Sequence, residues 1–480
     1  SGMAPAAVGG DSSVGSVAGS VDSGVIVRED LMAGMNLLVL VHRLPCPLDR
    51  GAKLRSSLEL RWLTQRHNVW CAGFIDPPDP ADPPSVIKES LADLRSRCRD
   101  LIAVPLRPMV AGFRSLLALL TGGTATEGYF ASRALRRQVL AWSREVRFDA
   151  VLVYSSSMAP LALEIPAGRR VLDLVDLDSH KWREMAEQGR WPMSLIYGTE
   201  ARRLGQRELE WMNAFDASVL CTGREVELLG DEPCREKVHV IATGAAFEID
   251  PQRRRELDER WSNLPLPAEP RVGFLGAMDY PPNADGVCWF AEAMWPEVLR
   301  RCPDARWTIV GRSPTRAVRE LADGDRIEVT GTVPAVEPYV EAMRVNVAPL
   351  RLARGVQTKV LMAMDMGRPC VVTSCVAAGI GAEAGREILV ADSPAEFVEA
   401  VVALLRDAEL AAAIGSAGRE FVKRRWDPVP GLMRLESLLT GVPCDEGDED
   451  RVEAGEIELA KAHACEAVDP LTAVAVGVGD

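Results

Sequence analysis

"VNVAPLRLARGVQTKVLMAMDMGRPCVVTS", residues 345–374, places a short apolar run, a basic loop, a helical pattern and a second apolar run in succession. Two strand-length runs separated by one helix describe a βαβ unit, and such a crossover is what joins parallel strands. The helix over 356–366 opens beside Arg354, Gly355, Gln357 and Lys359. A helix N-terminus offers unpaired N–H groups and the positive end of the helix dipole. A glycine there admits close approach, and a lysine adds a point charge, so the pattern fits a phosphate. Alone, the string also describes an ordinary helix start with solvated basic residues. Its strand–loop–helix context selects the phosphate reading.

The same alternation extends in both directions. Upstream stand "MNLLVLV" (35–41), a helix over 52–66 with Leu54, Leu58 and Leu63 inward, "HNVWCAGF" (67–74), "FDAVLVYSS" (148–156), "RRVLDLVDLDS" (169–179) and "FDASVLCT" (215–222). After a charged, proline-rich stretch the pattern restarts with "RVGFLGAMD" (271–279), "RWTIVGR" (306–312), "IEVTGTV" (327–333), "VNVAPL" (345–350), "PCVVTS" (369–374) and "EILVAD" (387–392). The expected fold class is α/β, with two Rossmann-like parallel-sheet domains facing across a cleft. The boundaries read as a disordered leader over 1–33, an N-terminal domain over 34–250 and a linker over 251–270. A C-terminal domain follows over 271–427, then a helix over 428–442 returning to the first domain, and an acidic disordered tail over 443–480.

Composition bounds the function classes. The chain has 480 residues, 47% hydrophobic and 26% charged, enough for a large core. No apolar run reaches the roughly 18 residues a membrane span needs, and no signal-peptide pattern opens the chain. A net charge of −14 argues against nucleic acid as a partner. The 11 cysteines are scattered without a CxxC pair, which points to reduced thiols in a cytoplasmic protein and to no zinc site.

The charge is uneven. Between Arg95 and Arg147 ten arginines face only Asp100, Glu127 and Glu145, interleaved with apolar residues as in "PLRPMVAGFRSLLALLTG". Two readings stand open. One is a pair of core helices with arginines on the wet side. The other is a surface for anionic lipid or a lipid-linked acceptor, which would hold the protein peripherally at the inner face of the plasma membrane.

Other loops carry candidate chemistry. "RGAKLRS" (50–56) repeats the basic-loop logic in the first half, with Gly51, Lys53 and Arg55. In "GAMDYPPN" (276–283), Gly276 permits a sharp exit from the strand and Asn283 is placed to cap the next helix. "DLVDLDS" (173–179) brings Asp176 and Asp178 to one side by strand alternation, and Asp178 also reads as a cap for the helix beginning near Ser179.

From "VGFLGAMDYPPNADGVCWF" through "WTIVGRSP" and the opening stretch to "AAGIGAEAGREILVADSPAEFVEAVVALLRD", the second half resembles family-four retaining glycosyltransferases of the GT-B fold. "HRLPCPLDRGAKLRS" (42–56) and "DLVDLDSHKWREMA" (173–186) look like the exopolysaccharide sugar transferases associated with PEP-CTERM systems. The resemblance implies transfer of a sugar from a nucleoside diphosphate sugar to a carbohydrate or lipid-linked acceptor, with retention and in surface polysaccharide biosynthesis. The nucleotide sugar would be a substrate, with no separate cofactor and no metal. The catalytic group would be Lys359, Arg354 and Asp176. Gly51, Lys53, Arg55, Gly276, Arg312, Gly355, Gln357 and Met362 would form the donor site, and Asp178 and Arg43 would face the acceptor.

Two departures bear on activity. Relatives commonly place two glutamates eight positions apart at this helix, where the present chain has Arg354 and Met362. A thioether cannot accept ribose hydroxyls as a carboxylate does, a loss of about 1.5–3 kcal/mol. Asp365 is the nearest substitute in sequence. Val175 and Thr243 also stand where relatives have histidine and asparagine. The alternative reading is therefore a non-catalytic relative with a degraded donor site.

Overall fold

The computed structural model describes residues 34–46, 51–77, 84–188, 191–242, 244, 251–333, 335–353 and 356–443. Alternation of apolar runs with amphipathic segments resolves into two wholly parallel sheets. The first contains β1 (Asn36–Val41), β2 (Asn68–Ile75), β3 (Asp100–Pro105), β4 (Phe148–Tyr154), β5 (Ala167–Val175), β6 (Ala217–Leu220) and β7 (Val238–Val240), in the spatial order β3-β2-β1-β4-β5-β6-β7. The second contains β8 (Arg271–Leu275), β9 (Arg306–Val310), β10 (Ile327–Gly331), β11 (Val345–Ala348), β12 (Cys370–Val372) and β13 (Leu389–Val390), ordered β10-β9-β8-β11-β12-β13. In each sheet the order reverses beside the first strand, at β1/β4 and at β8/β11, where an open α/β sheet splits to admit a ligand.

Helices cover both faces of the first sheet, so its side chains divide into two apolar clusters. Leu37, Val39 and Val41 of β1 pack with Leu54, Leu58 and Leu63 of the helix Gly51–Thr64. Leu38 and Leu40 point to the other face, with Val139 and Trp142 of the helix Arg133–Glu145. This is the two-residue strand alternation set against helical periodicity. The second core gathers around Phe290, whose ring meets those of Trp307 and Phe397.

Segment 251–270, read above as a linker, begins with a helix, Pro251–Ser262, whose Trp261 belongs to the second core. The last described helix, Pro428–Thr440, lies on the first sheet through Leu432, Leu435 and Leu439. His67 and Trp62 of the first half both contact its Glu436, at 2.9 and 2.7 Å.

The basic segment corrects its helical reading. It contains the edge strand β3, whose pairing with β2 alone shows only in the fold. The helix Pro108–Leu120 within it buries only Ala111 and turns its large apolar residues outward. Arg97, Arg99, Arg114 and Arg136 are held by Asp93, Asn68, backbone carbonyls and Glu164 respectively.

Candidate functional site

The carboxyl edge of the second sheet places several of the named residues together. β8 and β9 end side by side, with the Gly276 N–H donating to Val310 O at 3.0 Å and the Met278 N–H to Arg312 O at 2.9 Å. A Cβ on Gly311 would lie 1.6 Å from Gly276 O, and one on Gly276 would lie 2.7 Å from Asn283 Nδ2. Glycine is thus required at both positions by close approach. Arg312 emerges here, with Asp279 at 3.7 Å.

Asn283 does not cap its helix. The cap position is Tyr280, the helix opens with Pro281, and Asn283 sits one turn in with its side chain directed inward. Its Nδ2 donates to Ala277 O at 2.9 Å and its Oδ1 accepts a hydrogen bond from Lys359 Nζ. The Lys359 ammonium also lies 4.9 Å from the centre of the Phe274 ring, a cation–π contact. Burial lowers its pKa to about 7. Among the described residues no carboxylate offsets that burial. A buried amine held by an amide and an aromatic face, with no carboxylate partner among the described residues, can accept an anion.

The helix Thr358–Asp365 carries Lys359 in its first turn, and Gln357 is its N-cap without a side-chain capping bond. Arg354 and Gly355 lie outside the described residues, as does Thr243. Met362 is 5% exposed and packs in the second core. Asp365 is no substitute for a ribose-binding acid. It is buried and bound by both Arg254 guanidinium nitrogens at 2.8 Å.

The first half gives two of the expected donor residues intramolecular partners. Arg55, expected in the donor site, is buried, with Asp173 at 2.7 Å, Glu59 at 2.9 Å and Ile241 O at 2.6 Å. Lys53 is buried too, paired with Asp76 at 3.0 Å, and Arg43 reaches the same carboxylate at 2.5 Å. In this structure both cations are paired with interior acids. Gly51 opens the helix that carries them.

Asp176 and Asp178 do come together, though not by strand alternation. β5 ends at Val175, whose φ of 68° lies in the left-handed region a β-branched residue rarely adopts. That turn is held by Val175 N–H on Asp173 Oδ1 at 3.0 Å and by Cys221 N–H on Val175 O at 2.8 Å. Asp176 and Asp178 then share Lys181, at 3.0 and 3.3 Å. Lys181, Asp76, Asp173 and the site role of Asn283 were missed. Asp76, Asp173 and Asn283 meet partners on other elements, whereas Lys181 stands three residues from Asp178 on one helix, a spacing that was open to the sequence.

Comparison with known proteins agrees with the two-sheet fold. Residues 269–407 match the family described as "Glycosyl transferases group 1". A stretch of 140 residues is 26% identical to an uncharacterized 44.6 kDa protein of the cps region in Klebsiella pneumoniae, spanning 27% of this chain and 36% of that protein. Anabaena HepE, crystallised with UDP and glucose, superposes with a TM-score of 0.54 at 14% identity, over 85% of this chain and 100% of its own. TarM gives 0.55 at 11% over 84% and 98%, and the sucrose-phosphate synthase of Thermosynechococcus elongatus 0.53 at 15% over 85% and 99%. The chain therefore has the GT-B fold, and residues 269–407 of its second half are similar to the group 1 glycosyl transferases.

Proposed function

We propose that this protein transfers a sugar from a nucleoside diphosphate sugar to a carbohydrate or lipid-linked acceptor, with retention of anomeric configuration. The observation that carries the reading is Lys359, a buried amine at the carboxyl edge of the second sheet with no carboxylate partner among the described residues. The binding of UDP and UDP-glucose by HepE, a protein of similar fold, supports a nucleotide sugar as donor. In this reading Lys359 stabilises the charge that grows on the departing diphosphate, and a diphosphate oxygen takes the acceptor's proton. Asp176 and Asp178, oriented by Lys181, bind hydroxyls of the sugar or acceptor. The proposal includes a role in surface polysaccharide biosynthesis at the cytoplasmic face of the membrane, and no metal requirement; undiminished turnover in a chelator is the expected result.

The test is thermal unfolding in millimolar UDP, GDP, TDP and ADP, since a ligand of the folded state raises stability by RT ln(1 + [L]/Kd). One nucleotide should shift the wild type, and Lys359→Met should reduce the shift. No shift with any of the four would remove the donor reading. A second reading, a sugar-binding relative without turnover, is favoured by the burial of Met362 in the core. Nucleotide binding without release of nucleoside diphosphate from any sugar donor would select it.

A further inference from the structure

The helix Pro108–Leu120 is inverted for a surface helix. Its small Ala118 and the backbone of Arg114 face inward, so close to Gly128 that a Cβ there would meet Arg114 O at 2.6 Å. Met109, Phe113, Leu116 and Leu120, spaced four, three and four residues apart, form one outward stripe with exposures of 91%, 69%, 53% and 76%. Val110 and Leu117 widen it. Such a stripe normally faces a core, and a contiguous exposed patch of this kind marks an interaction surface.

Beneath the N-terminal end of this helix lies an open groove of about 780 Å³, lined by Ile75, Ile87, Leu91, Leu106, Met109 and Val110. Its acid, Asp76, is already paired with Lys53 and Arg43. Lys88 and Arg107 stand exposed on the rim, and neither forms an ion pair with a described carboxylate. An apolar channel with two exposed cations at its mouth matches an amphiphile with a hydrocarbon chain and an anionic head. A second copy of the chain seated symmetrically would set like charges against each other, whereas an acidic lipid complements them.

We infer that the outward face of Pro108–Leu120 and the groove beneath it seat the protein on an acidic lipid bilayer, with the groove receiving one lipid chain. The inference deepens the proposed function, because it brings a lipid-linked acceptor to the carboxyl edge of the first sheet, where β2 and β3 end at Ile75 and Pro105. It does not depend on donor binding.

The experiment is cosedimentation of the full chain with vesicles of phosphatidylcholine, with and without phosphatidylglycerol. Wild type should sediment with the acidic vesicles, and Phe113→Asp with Leu117→Asp should weaken this at least tenfold. Lys88→Glu with Arg107→Glu should erase the preference for acidic over neutral vesicles. In the wild type, unchanged sedimentation of neutral vesicles alone, or none with either, overturns the inference. So does retained binding by the double aspartate variant. A dimer in sedimentation velocity that Phe113→Asp dissolves would reassign the face to self-association. Phe113→Trp, whose emission should shift to the blue on acidic vesicles, covers the case in which the aspartates unfold the helix. The UDP thermal shift, measured on the same variants, should be unchanged and separates failure here from failure of the donor site.

Discussion

Lys359 donates to Asn283 Oδ1, and the same amide's Nδ2 is bound to Ala277 O, so the loop after β8 aims the helix lysine. The amide can serve both partners only in this one orientation. Asn283→Ala should leave the fold intact and weaken nucleoside diphosphate binding by several-fold, while Lys359→Met, which removes the charge, weakens it about ten- to a hundredfold, as expected for about 1.5–3 kcal/mol. Titration calorimetry with the responsive nucleotide checks the ranking; equal losses from the two variants would contradict it.

The depressed pKa of Lys359, about 7 against 10.5 for a free lysine, makes binding pH-dependent. Above pH 7 the lysine of the ligand-free protein is increasingly neutral, and an anion must bring a proton with it. Affinity should therefore fall as pH rises from about 7 toward 10, with proton uptake seen as a buffer-dependent binding enthalpy. The folded state binds fewer protons here than the unfolded chain, so this group's contribution to stability rises through the same window. Lys359→Met should remove both trends.

Glu208 behaves in the opposite sense. Burial raises its pKa from 4.5 to about 8, although Ser179 N–H donates to its carboxylate at 3.3 Å. The folded state holds the proton that the unfolded chain has released, so its contribution to stability is full below pH 4.5 and lost as pH rises through 8. Glu208→Gln should flatten the melting temperature between pH 5 and 8, as followed by circular dichroism.

Arg55 tests the distinction between interior charge and ligand contact. Its guanidinium faces Asp173, which is 0% exposed, and Glu59. Removing it leaves buried acids uncompensated, so Arg55→Met should destabilise the fold by roughly 3–5 kcal/mol in urea unfolding. Nucleotide affinity, measured below the transition, should not change. A loss of affinity with unchanged stability would return Arg55 to the donor site.

Met362 lies in the core, so Met362→Glu places an unpaired carboxylate among Val360, Leu361 and their neighbours. The expected result is a clear fall in melting temperature, with Met362→Leu nearly neutral. An unchanged melting temperature for the glutamate variant, with tighter nucleotide binding, would show that the position reaches the ligand.

All strands but β3 and β7 could be read from periodicity, because parallel strands buried on both faces must be apolar runs and their crossovers amphipathic helices. Lys359 was legible for a related reason: a basic residue in a strand–loop–helix context stands out locally. β3 was not, since its place at the sheet edge follows from pairing with β2 and its surroundings are rich in arginine. Nor could the sequence separate Lys359 from Lys53 and Arg55, which occupy matching positions at helix openings. That difference comes from residues distant in the chain. Asp76 and Asp173 fold back to neutralise the first-half pair, and Asn283 offers Lys359 only a neutral amide. Local pattern determines which backbone elements form, and the tertiary structure alone decides which charges are left without partners, because ion pairs depend on distance in space.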